Sequence, residues 1–182
     1  IISGHEVAFF DAFKTAGKFA ENIGAPVYQQ TMPHGAHFFS EHPNYVGALS
    51  RSQKNVNEIL SDYDLLIVLG ADVLRMSVWS SIEPLPEDMP IIQIGLNDWE
   101  MGKNFPTELA IRANVKDTLI ELNKKFENDA DETFSNLAKK RLKLITKNNW
   151  TVKKEKLVNK LSKDILNQKQ INPSWMLKLV AD

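Results

Sequence analysis

The sequence predicts an α/β fold, with a Rossmann-like parallel sheet covered by helices on both faces and a helical linker after it. Three observations support this fold class. Short apolar runs that end in glycine alternate with amphipathic stretches of helical period, which is typical of β-α-β units. The length of 182 residues suits one such domain with an appendage. From residue 129 onward the chain is rich in lysine and asparagine, and its sparse apolar positions favour solvated helices over a second core.

The first 70 residues are predicted to contain three strands and two helices. Phe9, Phe13 and Ala16 recur at helical spacing, which indicates one buried helical stripe that Gly24 would end. The stretch 30–50 shows no clear pattern, and irregular connections of that length are usually functional. The predicted elements are a strand end at 1–4, a helix at 6–22, a strand at 26–29, a helix at 53–60 capped by Ser52, and a buried strand at 65–70.

The rest of the chain is predicted to complete the sheet and then to continue as helices. The predicted elements are strands at 91–95 and 107–112, one helical turn at 98–102, and helices at 115–126, 133–147, 151–167 and 174–180. We divide the chain into an α/β domain (1–128), a helical linker (129–172) and the start of a further domain (173–182). Because the chain opens on a strand end without an initiator methionine, we expect it to be a piece of a longer protein.

Composition excludes several classes of chemistry and partner. The chain has no cysteine, so disulfides, thiol nucleophiles and cysteine-based metal sites are excluded. Residues 1–113 hold 7 Lys/Arg against 14 Asp/Glu, and residues 114–182 hold 15 against 9. We interpret the basic part as solvated helix faces rather than a nucleic-acid surface, because stacking aromatics are few. No signal peptide or membrane span is predicted, and we expect a cytoplasmic protein without nucleic-acid or membrane partners.

Three glycines end predicted strands: Gly4, Gly70 and Gly95. Open α/β sheets bind ligands beyond the carboxyl ends of their strands, so these glycines are candidate cofactor-binding residues. The alternative is that each glycine only permits a tight turn after its strand. The phosphate-binding fingerprints Gly-x-Gly-x-x-Gly and Gly-x-x-x-x-Gly-Lys-Ser/Thr are both absent.

Three histidines, His34, His37 and His42, lie in the irregular stretch 30–50. Zinc sites usually take four ligands from a helix or a tight knuckle, whereas this spacing is loose and offers no obvious fourth ligand. We therefore predict no metal site in this chain.

Three segments resemble one family when they are taken in order. They are GAPVY at Gly24–Tyr28, FFSEHPNYVG at Phe38–Gly47, and YDLLIVLGADVLR at Tyr63–Arg75. Together they are similar to the central domain of thiamine-diphosphate-dependent enzymes, and within that group most similar to the benzoylformate decarboxylases. The resemblance covers about residues 1 to 126.

The resemblance implies an enzyme of three α/β domains that acts on a small 2-oxo acid as a decarboxylase or synthase-like transferase. Thiamine diphosphate and Mg²⁺ would lie between the first and third domains of a homodimer or homotetramer. The family's Gly-Asp-Gly…Asn motif is absent here, so we expect this piece alone to bind neither group and to be inactive. The role implied is chiefly architectural, with residues 173–182 beginning the diphosphate-binding domain.

A nucleotide-binding module is the alternative function, because related central domains hold FAD or ADP at the strand ends. The stretch Arg75–Val78 lacks the pattern that accompanies FAD in acetolactate synthase-like members, which makes FAD doubtful. A further implication concerns His42, which matches a loop histidine that would help proton transfer in the active site. An unperturbed imidazole titrates near neutrality and suits general acid–base catalysis. The alternative for His42 is that it only orders the loop before Pro43.

Overall fold

A single parallel sheet organises the protein, whose computed structural model describes residues 1–30, 35–165 and 172–181. The described strands follow the order β3-β2-β1-β4-β5-β6, and every neighbouring pair is parallel. The order reverses between β1 and β4, so the sheet has a topological switch point there. The strands are β1 (Ile2–Ser3), β2 (Val27–Gln29), β3 (Tyr45–Ala48), β4 (Leu66–Leu69), β5 (Ile91–Gly95) and β6 (Leu109–Arg112). This architecture confirms the predicted fold class.

Helices cover both faces of the sheet and continue after it. The helices are α1 (His5–Phe9), α2 (Phe13–Ile23), α3 (Gln53–Leu60), α4 (Val115–Asp129), α5 (Glu132–Ile145), α6 (Trp150–Ile165) and α7 (Pro173–Ala181), with a 3₁₀ turn at Asp98–Glu100. None of the helices in the described ranges combines the length and apolar composition that crossing a membrane requires.

The core has two halves because successive residues of a strand point to opposite faces of a sheet. Leu69 belongs to the half under α1, α2 and α4, whereas its neighbour Val68 belongs to the half under α3. The first half also contains Val7, Ala16, Phe19, Val27, Ile94 and Leu119, and the second contains Ile2, Val56, Leu60, Leu66, Val73 and Ile91. Both halves are needed to bury the short central strands.

Helix α5 packs against the carboxyl end of α2. Gly24 ends α2 in the left-handed conformation, with φ of 62°, as a C′ glycine should. A Cβ at Gly24 would stand 2.5 Å from the carbonyl oxygen of Ala138. The rings of Phe126 and Phe134 stack with centroids 5.7 Å apart and join α4 to α5. The glycine therefore serves both the helix end and the close approach of α5.

Helix α6 covers the outer edge of the sheet at β3. The ring of Trp150 packs edge-on against Tyr45 at 6.4 Å and lies over Gly47. Asn149 donates a hydrogen bond to the carbonyl of Pro43, and the Lys153 ammonium donates to that of Val46. Covering an edge strand in this way prevents it from pairing with other chains.

Two sequence expectations need correction. The single helix expected over 6–22 is two helices, because Asp11 adopts a φ of 49° and interrupts the helical backbone between α1 and α2. The stretch 30–50 is not wholly irregular, since it contains β3, which pairs with β2 through a register shift. Strand β3 is only four residues long and contains Gly47, so its sequence shows too little alternation of apolar and polar residues to predict a strand. The helix expected over 151–167 begins at Trp150, and its predicted carboxyl end lies outside the described residues.

Candidate functional site

The candidate crevice lies at the switch point, beyond the carboxyl ends of the central strands. Gly4 follows β1, Gly70 follows β4 and Gly95 ends β5, so the fold brings the three predicted glycines to one edge. The Gly4 amide donates to the carbonyl of Leu69, and the Gly70 amide donates to that of Ile94. These hydrogen bonds hold the three strand ends side by side.

The carboxylate of Glu6 fills this crevice. Glu6 follows β1 in the first turn of α1 and is only 6% exposed. The backbone N–H of Leu96 donates to its two oxygens at 3.1 and 2.9 Å, and that of Asn97 donates at 3.3 Å. Charge-assisted bonds of this kind are roughly twice as strong as neutral ones. The chain thus places its own anion on the loop amides that follow β5.

The three glycines make room for chain atoms. A Cβ on Gly4 would overlap Gly70 and Ala71, and a Cβ on Gly70, at a φ of 56°, would overlap the side chain of Glu6. A Cβ on Gly95 would stand 3.1 Å from the Glu6 carboxylate. These contacts support the second of the two interpretations, in which the glycines permit close backbone packing.

The space that remains beside Glu6 does not fit a nucleotide or a diphosphate. The residual cavity is about 10 Å³, lined by His5, Glu6, Asp72 and Asn97 among others, which is room for about one water molecule. Two of its side chains are carboxylates, which oppose the negative charge of a phosphate. Glu6 was not predicted from the sequence, although an acidic residue two positions after a strand-ending glycine is a usable signal.

Ion pairs tie together the loops that follow β4 and β5. Arg75 contacts Asp72 at 2.6 Å and Glu100 at 3.8 Å, and Lys103 contacts Glu100 at 3.1 Å. The Lys103 ammonium also lies 5.3 Å from the ring centre of Trp99. The network fixes the two loops relative to each other at the edge where the crevice lies.

His42 packs against α2 rather than projecting freely. Its Nδ1 accepts a hydrogen bond from the Asn44 backbone N–H at 3.2 Å, and its Nε2 lies 3.5 Å from a carboxylate oxygen of Glu21. The ring meets Phe38 edge-on at 5.1 Å and also lies against Gly17. Burial lowers the pKa of His42 below its usual range, and the charge of Glu21 opposes that shift.

The other histidines form no metal site in the part of the chain that is described. No group of three His, Asp or Glu side chains there has the arrangement a metal ion would need. His37 is buried and its backbone N–H donates to the Gln29 side chain at 3.1 Å. His34 lies outside the described residues. The donors among the described residues therefore do not fit Mg²⁺, and the closed crevice does not fit thiamine diphosphate.

A large open groove runs along the opposite edge of the sheet, at the amino ends of the strands. Its lining includes Ile1, Leu65, Leu109 and Phe126 and is mainly apolar. At this edge the backbone nitrogen of Ile1 donates a hydrogen bond to the carbonyl of Pro26 at 2.9 Å. The groove is distant from the switch point, where ligands of open α/β sheets bind.

Comparisons with known proteins agree with this geometry. The model of the family described as thiamine pyrophosphate enzyme, central domain, matches residues 1–122. The thiamine pyrophosphate-containing protein YdaP of Bacillus subtilis (strain 168) is 28% identical over 120 residues, which are 65% of this chain and 20% of that protein. The sulfoacetaldehyde acetyltransferase of Castellaniella defragrans is 25% identical over 133 residues, 70% of this chain and 22% of that enzyme.

A solved structure gives the same result. The benzoylformate decarboxylase of Polynucleobacter necessarius superposes with a TM-score of 0.62 at 27% identity, covering 68% of this chain and 23% of that one. The chain therefore spans about a fifth to a quarter of the length of these relatives. The family match over residues 1–122, the parallel sheet and the ordered motifs together show that this chain belongs to the central-domain family of thiamine pyrophosphate enzymes.

Proposed function

We propose that this segment is the architectural central domain of a larger thiamine-diphosphate-dependent enzyme. The parent enzyme would act on a small 2-oxo acid as a carbon–carbon lyase or a transferase. The family match supports the cofactor of the parent enzyme. Among the relatives, one is named an acetyltransferase and another a decarboxylase, which supports both reaction classes. Mg²⁺ would accompany the cofactor in the other domains, and the parent would be a cytoplasmic homodimer or homotetramer.

The closed crevice is the observation that carries the architectural role. Glu6 occupies the amides at the switch point, and the cavity that remains is about 10 Å³. The crevice in which an open α/β sheet would bind a ligand is here filled by the domain's own side chain. Such a domain contributes to the enzyme through its packing against other domains. Thiamine diphosphate supplies carbanion stabilisation wherever it is bound.

The test is calorimetric titration of the gene product that carries this segment. The proposal expects the gene product to bind thiamine diphosphate in the presence of Mg²⁺, and residues 1–182 alone to give no heat of binding. A gene product that does not bind the cofactor would overturn the parent's assignment. Binding by residues 1–182 alone would overturn the architectural role.

The alternative of a FAD or ADP module is not favoured by the closed crevice. A thermal shift of the chain with ADP or FAD checks it directly. We expect the melting temperature to be unchanged by either nucleotide, and a saturable increase would restore the alternative.

Two roles for His42 are distinguished by substitution in the gene product. Its contacts with Phe38, Asn44 and α2 support the loop-ordering role. His42→Ala should then lower stability while leaving kcat per folded enzyme unchanged, and His42→Asn should recover stability because its side-chain oxygen can accept from the Asn44 N–H. A loss of kcat in both variants, with stability retained in His42→Asn, would establish the proton-transfer role.

The proposed division of the chain places the domain at 1–128, the linker at 129–172 and the start of the diphosphate-binding domain at 173–182. Helices α5 and α6 dock on the α/β domain, which supports a linker fixed to its surface. Helix α7 exposes Leu177 and Val180 by 66% and 82%, as expected for a helix that a further domain covers. Limited proteolysis of the gene product should spare α5 and α6 and release a fragment that keeps them joined to residues 1–128. Cleavage between α4 and α5 would contradict a linker that is fixed to the surface of the domain.

A further inference from the structure

The loop after β5 presents two backbone amides to an anion that the chain itself provides. The amides of Leu96 and Asn97 converge on the Glu6 carboxylate at 2.9 to 3.3 Å. Backbone amides that converge in this way form a concave site for an anion, and phosphates bind to many such sites. The amides therefore have the chemistry of an oxyanion site, and its occupant is a side chain.

Backbone donors, rather than a cation, stabilise the Glu6 carboxylate. No ion pair joins the Glu6 carboxylate to a cation among the described residues, so backbone donors provide its stabilising contacts. Burying a carboxylate without a cation is costly unless donors compensate for the lost water. The absence of a Cβ at Gly70 and Gly95 leaves the space that the side chain fills.

We infer that Glu6 occupies a latent oxyanion site at the switch point and is the residue that excludes phosphates from it. The inference goes beyond the architectural role, because it assigns that role to one side chain and predicts what its removal would admit. The ligand class is a small oxyanion, either a carboxylate or a phosphate. The cavity of about 10 Å³ would grow by the volume of the side chain removed.

The experiment is anion rescue of Glu6→Ala, using acetate and inorganic phosphate as probes. The substitution removes the acceptor of two part-buried backbone amides, which should lower the melting temperature of the 182-residue chain. At ten times its dissociation constant, a bound anion should then raise the melting temperature by roughly 3 to 6 °C through mass action. The wild-type chain should show no such increase, because Glu6 already holds the amides.

Two variants separate a specific site from a general salt effect. Glu6→Gln keeps the crevice filled by a side chain of the same shape, so acetate and phosphate should leave it unchanged. Leu60→Ala lowers stability from the other half of the core, where Leu60 is 2% exposed, and the general stabilisation by phosphate and acetate should be no larger in this variant than in the wild-type chain. A saturable rescue found only in Glu6→Ala supports the inference.

Amide chemical shifts locate the bound anion. In Glu6→Ala, the amide resonances of Leu96 and Asn97 should move on addition of phosphate. The amide resonances of residues in the half of the core under α3 should not move. If Glu6→Ala is unfolded in low salt, recovery of its folded spectrum with acetate or phosphate, but not with chloride, is the same result. An unchanged melting temperature, with no shift at Leu96 and Asn97, would overturn the inference while leaving cofactor binding by the gene product unaffected.

Discussion

A double-mutant cycle between Gly17 and His42 tests whether the imidazole is a packing residue. Gly17 lies inside α2, and a Cβ there would stand 2.8 Å from Nε2 of His42 and 3.1 Å from its Cδ2. The ring is also held by Phe38 and by the hydrogen bond from Asn44, so it cannot simply swing away. Gly17→Ala should therefore have opposite effects on stability with and without the ring.

The magnitude follows from two opposing terms. Replacing glycine by alanine inside a helix stabilises it by about 1 kcal/mol. Forcing a methyl group into a packed contact costs about 1 to 3 kcal/mol. In the wild-type background, Gly17→Ala should thus be neutral or destabilising by up to about 2 kcal/mol. In the His42→Ala background the clash is gone, and the same change should stabilise by about 1 kcal/mol.

The assay is urea unfolding of the four chains, followed by far-ultraviolet circular dichroism. The coupling free energy between the two positions should be about 1 to 3 kcal/mol. A cycle of Gly17→Ala with Leu60→Ala, which lies in the other half of the core, serves as the additive control. Coupling between Gly17 and His42 below about 0.5 kcal/mol would refute the packing role, since distant sites add within that limit.

Two further predictions concern stability. Gly70→Ala should lower the free energy of unfolding by about 1 to 3 kcal/mol more than Gly102→Ala does. Both glycines have positive φ, but only the Cβ at Gly70 would overlap Glu6. Equal losses of stability in thermal unfolding would argue against a closed crevice. Trp150→Ala should destabilise the chain and raise its tendency to aggregate, because the edge strand β3 loses its cover; light scattering and urea unfolding identical to wild type would show that α6 does not protect this edge.

The fold was predictable from sequence where the local pattern was strong. The apolar runs at β4 and β5 and the left-handed glycine after α2 were recognised because each carries a signal within a few residues. The break at Asp11 was missed because the apolar spacing continues across it, and only the backbone shows the interruption. Strand β3 was missed because its pairing with β2 is a non-local property.

The candidate site was predictable in position but not in content. The glycines located the strand ends, because a glycine after a buried strand is a local signal. The occupant was not visible, because Glu6 meets Leu96 and Asn97, which are 90 and 91 positions away in the sequence. Whether Gly70 binds a ligand or only permits close packing therefore depended on its contact with Glu6, which forms only in the folded chain.

Calorimetric titration of thiamine diphosphate with Mg²⁺, into the gene product and into residues 1–182 side by side, tests the central claim most directly. The architectural role predicts saturable binding to the gene product and no heat of binding to residues 1–182. Binding to the isolated segment, or its absence from the gene product, would contradict it.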